Sequence, residues 1–325
     1  MVALLREKFV CVAVDARRES GQFQDADAEF IRATDCVTKT AAGSVCVVSA
    51  GGKRLTSVGG PGEGMIRFLN AGLKAWSELP EADRKAGPSE ASGPADPKRA
   101  ALELPPGALV LRVFNRQLGR DEKGELRYAL PEDFIPKTSP KQAERYAEAH
   151  NDFMWIPEAE WKALVPAEPR KGEAHPVPAS FALRLFRFHL DPCRGFSEGA
   201  AFTRSKADAG RLSLTVQEAD PAKVSLRLEG SASLRENGRE EPSVYEPALL
   251  GFLEFDLARK AFIRFDLVAL GTASGLPRDA NGVVTPRKGP YPLGIAFELV
   301  PDPAPAERLH PRGARDNPAA YLDPR

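Results

Sequence analysis

The stretch LLGFLEFDLARKAFIRFDLVALG, from Leu249 to Gly271, alternates apolar and polar residues on both sides of Leu257-Ala258-Arg259-Lys260-Ala261. Two period-two runs of this length around a short polar segment read as an antiparallel hairpin. Aligning the alternations sets the register. Leu253 then meets Phe265, Phe255 meets Ile263 and Leu249 meets Ala269 on one apolar face, and Glu254 falls across from Arg264 on the other. A lone hairpin is marginal in water, so further strands and a covering layer must come from elsewhere in the chain.

Other segments supply them. Arg211–Gln217 and Lys223–Ser231 predict a second hairpin, with Leu212, Leu214 and Val216 opposite Leu228, Leu226 and Val224 and Asp220-Pro221 in the turn. Ala108–Asn115, Leu126–Leu130 and Tyr291–Val300 read as further strands, the last with Leu293, Ile295, Phe297 and Leu299 on one face. Phe181–Asp191 (FALRLFRFHLD) also reads as a strand, with Leu183, Leu185, Arg187 and His189 on one face and Arg184, Phe186 and Phe188 on the other. Ser139-Pro140 has the chemistry of a helix start, and Glu158–Leu164 reads as a second short helix. The expectation for residues 107–300 is a β-rich domain of about six to eight largely antiparallel strands with a helical segment over 139–164. One face of that sheet is strongly apolar, so it closes as a barrel or is covered by the helices. Residues 301–325 read as a Pro-rich tail.

The N-terminal part has a different pattern. FVCVAVD (9–15) and SVCVVS (44–49) are unbroken apolar runs, as expected for strands buried on both faces. A Gly51-Gly52-Lys53 turn leads into a short strand to Val58, and an amphipathic helix follows from about Pro61 to Leu79, with Met65, Phe68, Leu69, Leu73 and Trp76 at helical spacing. Residues 80–106 are rich in Pro, Ala, Gly, Ser and charge, the composition of a linker.

Strand, helix, strand, Gly-Gly-Lys turn, strand and final helix over residues 1–79 resemble the latter part of a thioredoxin-like domain. The family's Cys-x-x-Cys helix and the cis-proline before its second-last strand have no counterpart, since Gly43-Ser44 occupies the latter place. The segments RFHLDPCRG (187–195), LLGFLEFD (249–256), RFDLVALG (264–271) and PLGIAFEL (292–299) resemble a bacterial group that joins a thioredoxin-like part to this type of β segment. That resemblance implies an architecture and no activity. The implied fold class is α+β, a small α/β thioredoxin-like module joined to a larger antiparallel sheet or barrel with packed helices. The chain begins where the family's first strands would have ended. The compartment is cytoplasmic if that start is native, and periplasmic or exported if a signal peptide and the missing strands lie upstream.

Composition narrows the function classes. Lys and Arg number 45 and Asp and Glu 45, so the net charge of zero offers no electrostatic reason to expect nucleic acid. No run of 18 apolar residues suggests a transmembrane helix. Four cysteines are too few for a disulfide scaffold. No P-loop or GxGxxG spacing occurs in the long Gly/Pro-rich loop Gly271–Gly289, although loops of that length within a domain are often functional.

The residues that invite a binding role are Arg187, His189, Asp191, Cys193 and Arg194, expected at a strand end, and Trp155 and Trp161, an aromatic pair near His150, Asp152, Glu158 and Glu160. His189 and Cys193 stand at H-x3-C spacing, which supplies two of the three or four ligands a zinc site needs. No catalytic residue, metal or cofactor is expected. The expected function is non-catalytic binding of a small ligand or a protein. The alternative is a thiol-dependent oxidoreductase acting through Cys36 or Cys193.

Overall fold

The computed structural model of the 325-residue chain describes residues 1–11, 34, 44–59, 64–85, 103–135, 138, 140–190, 210–235, 242–275, 287, 289–314 and 318–324. The chain divides into two units, Met1–Ala101 and Leu102–Arg325. The fold class is α+β.

In the N-terminal unit, a helix spans Val2–Lys8. Strands β1 (Ser44–Val48) and β2 (Arg54–Gly59) pair antiparallel around the Gly51-Gly52 turn, with a register shift between Val47 and Val48. The amphipathic helix expected from about Pro61 runs over Met65–Ser77 and buries Leu69 and Gly72. Gly72 faces β1 so closely that a Cβ there would lie 2.9 Å from the Val47 methyl carbons. The absent side chain lets helix and hairpin touch. The expected strand over 9–15 falls mostly outside the described residues, as does Cys36. Within the stretch read as a linker, Glu81–Arg84 forms a single helical turn.

The C-terminal unit is built on one antiparallel sheet. Its strands are β3 (Leu109–Arg120), β4 (Leu126–Tyr128), β5 (His150–Ile156), β6 (Ala174–Pro176), β7 (Gly210–Ala219), β8 (Lys223–Ala232), β9 (Leu234–Arg235), β10 (Val244–Asp256), β11 (Ala261–Ser274) and β12 (Tyr291–Leu299). The spatial order is β4-β3-β12-β11-β10-β8-β7-β6, with β5 also pairing with β3 and β9 with β10. The sheet is open. Its edges are blunted by short strands, and β6 carries Pro176. The inward residues of β10, β11 and β12 form one apolar core with those of β3, β5, β7 and β8. Tyr245 reaches across that core, its hydroxyl 3.1 Å from the Ala269 and Leu293 carbonyls. The outward face leaves Leu250, Phe252, Val268 and Leu270 partly exposed.

The central hairpin holds the expected pairs Leu249↔Ala269, Leu253↔Phe265 and Glu254↔Arg264. Beyond Glu254 the register shifts, so Phe255 faces Phe262 and not Ile263. The turn causes this. Asp256 Oδ1 accepts bonds from the Ala258 and Arg259 amides, and Lys260 takes φ 52°. That closure uses one residue fewer than the sequence alignment assumes, and the bulge absorbs the difference. Phe262 is thereby buried and Ile263 turned out. In the second hairpin Leu214 faces Leu228 and Val216 faces Leu226, two residues from the expected register, with Leu212 against Gly230. Asp220 Oδ1 caps the Ala222 and Lys223 amides, and a shift between Val216 and Glu218 restores the pairing at Ala219↔Val224. A slip of two keeps every side chain on its own face.

Three expectations are corrected. Phe181–Asp191 is not a strand: Ala179–Arg184 is an α-helix that continues as a π-turn over Leu185–His189, closed by the Leu190 amide donating to the Leu185 carbonyl at 3.0 Å. Phe181, Arg184, Leu185, Phe186, Phe188, His189 and Leu190 are all buried. A segment buried on every side carries no clean period, so its alternation was not diagnostic. The segment 139–164 is not wholly helical. Helices Pro140–Ala147 and Glu158–Lys162 flank β5, which pairs with β3 from Leu109↔Ile156 to Asn115↔His150. Lastly, 301–325 is no loose tail. It makes short turns at Pro305–Glu307 and Arg312–Ala314 and a helix at Pro318–Leu322. Ala314 and Tyr321 enter a second core with Val110, Trp155, Phe188 and Val300.

Candidate functional site

The residues singled out from sequence fall into three groups. Trp155 and His189 come together through a residue that sequence reading passed over, Tyr321. Its hydroxyl lies 2.8 Å from His189 Nε2, accepts from the Trp155 amide at 3.0 Å and lies 3.3 Å from the Trp155 carbonyl. All three side chains are shut away from solvent. Trp161 lies in the other core, edge-on to Phe262 at 6.1 Å, with its Nε1 donating to the Gly107 carbonyl at 2.8 Å. The two tryptophans therefore do not share an aromatic platform. Alternate residues of β5 feed different cores, Met154 and Ile156 one and Trp155 the other. Arg187 is half-buried, its guanidinium 5.9 Å from the Phe188 ring centroid. Asp191, Cys193 and Arg194 lie outside the described residues.

Beside His189 runs a buried ion pair. Arg184 Nη2 bonds Glu160 Oε1, and Nε lies 3.4 Å from Glu160 Oε2. The same Nη2 donates to the Leu322 carbonyl at 3.2 Å, and the guanidinium carbon stands 4.9 Å from the Tyr321 ring centroid. This cluster ties the helix Ala179–Arg184, the helix Glu158–Lys162 and the C-terminal helix into one layer. Among the described residues Arg184 Nη1 and Trp155 Nε1 have no hydrogen-bond partner, but both side chains are shut away from solvent.

A second polar cluster lies at the end of the sheet where β3 and β11 finish and β12 begins, and this one borders open space. A cavity of about 430 Å³ is lined by Gly119, Arg120, Glu132, Asp133, Thr272, Arg287, Pro290, Tyr291 and Pro292. That size suits a small organic ligand. Arg287 belongs to the long loop between β11 and β12 and forms an isolated antiparallel bridge with Phe134. Only 6% of it is exposed. Its Nη2 donates to the Leu118 carbonyl at 2.6 Å, and its guanidinium carbon stands 5.2 Å from the Phe134 ring centroid and 4.8 Å from that of Tyr291. Among the described residues, Nε and Nη1 have no hydrogen-bond acceptor.

The carboxylate nearest to Arg287 is already engaged. Asp133 Oδ2 is 3.8 Å from Arg287 Nη1, beyond hydrogen-bonding distance, but takes 2.7 Å bonds from Arg127 Nη1 and from the Leu130 amide. Arg127 Nη2 completes a two-pronged clamp on Asp133 Oδ1 at 3.0 Å. Burial alone would raise the Asp133 carboxyl, but the Arg127 and Leu130 hydrogen bonds and the nearby guanidinium charges outweigh it and hold the group below its ordinary value. Burial pulls the Arg287 guanidinium down from its ordinary value, with partial opposition from Asp133. An arginine does not give up its proton in a protein. The cost is therefore carried as an under-compensated buried charge. Gly119 makes the clamp possible: a Cβ there would stand 2.6 Å from Arg127 Nη1 and 2.9 Å from Asp133 Oδ2.

The Gly271–Gly289 loop drew attention from its length, and Arg287 lies within it. No local pattern distinguishes Arg287 from its neighbours, because its partners Leu118, Phe134 and Tyr291 come from three separate places in the chain. Among the described residues, no group of three or more His, Cys, Asp or Glu side chains is arranged to hold a metal, and no helix is long and apolar enough to cross a membrane. No protein-family model, no curated protein and no solved structure matches this chain.

Proposed function

We propose that this chain is a non-catalytic binding protein whose C-terminal unit takes a small ligand in the cavity beneath Arg287. The observation that carries the reading is that guanidinium: nearly wholly buried, bordering a cavity of about 430 Å³, with Nε and Nη1 lacking acceptors among the described residues. Buried polar groups in folded proteins are nearly always satisfied, and an exception that borders a cavity has room for a partner there. The cavity walls offer arginines, a clamped carboxylate, a threonine and aromatic and proline surface, which is the chemistry of recognition.

The N-terminal unit, in this proposal, is a degenerate thioredoxin-like module serving as an accessory domain. An antiparallel hairpin followed by a helix over Ser44–Ser77 supports that resemblance, being the element order expected at the end of such a domain.

A crystallographic soak of the full chain with a mixed library of small fragments tests the binding reading. Fragments should collect in the cavity bordered by Gly119, Thr272 and Tyr291. A library that binds only elsewhere on the molecule would discard it.

A further inference from the structure

Resting on that binding reading, we infer that the cavity recognises a small organic monoanion, a carboxylate carried on an apolar body, with Arg287 as the group that accepts its charge. Three observations lead there.

The first is charge count. The residues that line the cavity carry two positive charges, on Arg120 and Arg287, and two negative ones, on Glu132 and Asp133. Arg127, outside the lining, already clamps Asp133, so the carboxylate that would offset Arg287 is shared. One further negative charge at Arg287 supplies what that sharing withholds. A dianion brings more charge towards the same two carboxylates.

The second is hydrogen-bond chemistry. Arg287 has N–H groups to spare and, among the described residues, no acceptor for Nε or Nη1, so the partner that fits is an acceptor. A carboxylate supplies acceptor oxygens and charge together, giving the shorter and stronger class of hydrogen bond. A neutral amide supplies one acceptor and no charge.

The third is the surroundings. Tyr291, next to the guanidinium, and Pro290 and Pro292 line the same cavity, so a ligand anchored at Arg287 meets apolar surface with its remaining atoms. Phe134 and Tyr291 stand within cation–π distance of the guanidinium and fix its plane before any ligand arrives. Such preorganisation reduces the entropy lost on binding.

The test is isothermal titration calorimetry of the full chain with benzoate, hexanoate, benzamide and inorganic phosphate at neutral pH, with amide NMR shifts of Gly119, Thr272 and Tyr291 reporting the location. Benzoate and hexanoate should bind and shift those three resonances. Benzamide and phosphate should each bind at least roughly tenfold more weakly, the loss expected for one charge-assisted hydrogen bond. Arg287→Met should weaken benzoate by a similar factor or more, and Arg287→Lys should recover part of it. If a variant does not fold, the comparison of benzoate with benzamide on the unaltered chain still decides. Benzamide or phosphate binding in the cavity as tightly as benzoate would overturn the carboxylate assignment and leave the binding reading standing. Cavity resonances that respond to none of the four compounds would overturn the carboxylate inference, and if the fragment soak also leaves the cavity empty, the binding reading falls with it.

Discussion

Among the described residues of the C-terminal unit two arginines are hidden from solvent, and their surroundings differ. Arg184, with none of its surface exposed, has Glu160 to itself, a carbonyl from Leu322 and the face of Tyr321. Arg287 has one carbonyl, two rings and a share of a carboxylate that Arg127 already holds. Both guanidiniums are withdrawn from water, which costs free energy unless a counter-charge compensates. In one case a dedicated counter-charge offsets it, and in the other the compensation is incomplete and the group borders a cavity. A buried arginine with a dedicated carboxylate argues for structure, whereas one that shares its carboxylate and borders a cavity argues for a ligand. The cluster that the sequence recommends, around His189 and Trp155, falls on the structural side of this divide.

The comparison can be broken experimentally, most sharply at Glu160. Glu160→Gln should cost about 3–5 kcal/mol by leaving Arg184 buried without its counter-charge, read as a lowered midpoint in urea. A loss below about 1 kcal/mol would mean that Arg184 is no better compensated than Arg287. Next in size, Tyr321→Phe should cost about 1–3 kcal/mol, because the Trp155 amide and His189 lose a buried partner. An unchanged midpoint would remove Tyr321 from the structural cluster.

A smaller and pH-dependent effect is expected at Asp133. Because its folded carboxyl is held below the ordinary value, it contributes stability above the unfolded carboxylate pKa of about 3.9. That contribution disappears as the pH falls through the lower folded value. Stability of the unaltered chain should exceed that of Asp133→Asn at neutral pH, and the gap should close on acidification below about pH 4. A gap independent of pH would show that the clamp does not depend on the carboxylate charge. The smallest stability effect should come from Arg287→Met, within about 1 kcal/mol of the unaltered chain, since replacing an under-compensated buried charge by an apolar side chain is often neutral. A loss comparable to that of Glu160→Gln would place Arg287 with Arg184 as a structural residue.

Much of the sheet was legible because its signals are local. Leu249–Gly271 pairs with itself through period-two alternation, and Asp256 and Asp220 cap their turns from inside the same few residues. The bulge after Glu254 was not legible, because it arises from a mismatch between turn closure and strand register that only the assembled hairpin expresses. Of the site, the loop before β12 stood out by its length and composition, but Arg287 within it did not, and neither did Gly119, whose missing side chain makes room for the Arg127–Asp133 clamp.

By itself, then, the chain's sequence determined where strands alternate, which hairpins close on themselves and that its net charge is zero. Those properties are sums over near neighbours or over the whole composition. Tertiary structure alone decided that FALRLFRFHL coils into a helix and π-turn, since burial on every side erases the period that would have distinguished the two. It alone brought Tyr321 to His189 across 132 residues, and Arg287 to Leu118 across 169. Whether a buried guanidinium is satisfied depends on the acceptors that distant segments deliver to it. For Arg184 the fold delivers a dedicated carboxylate. For Arg287 it delivers two rings, one carbonyl and a cavity.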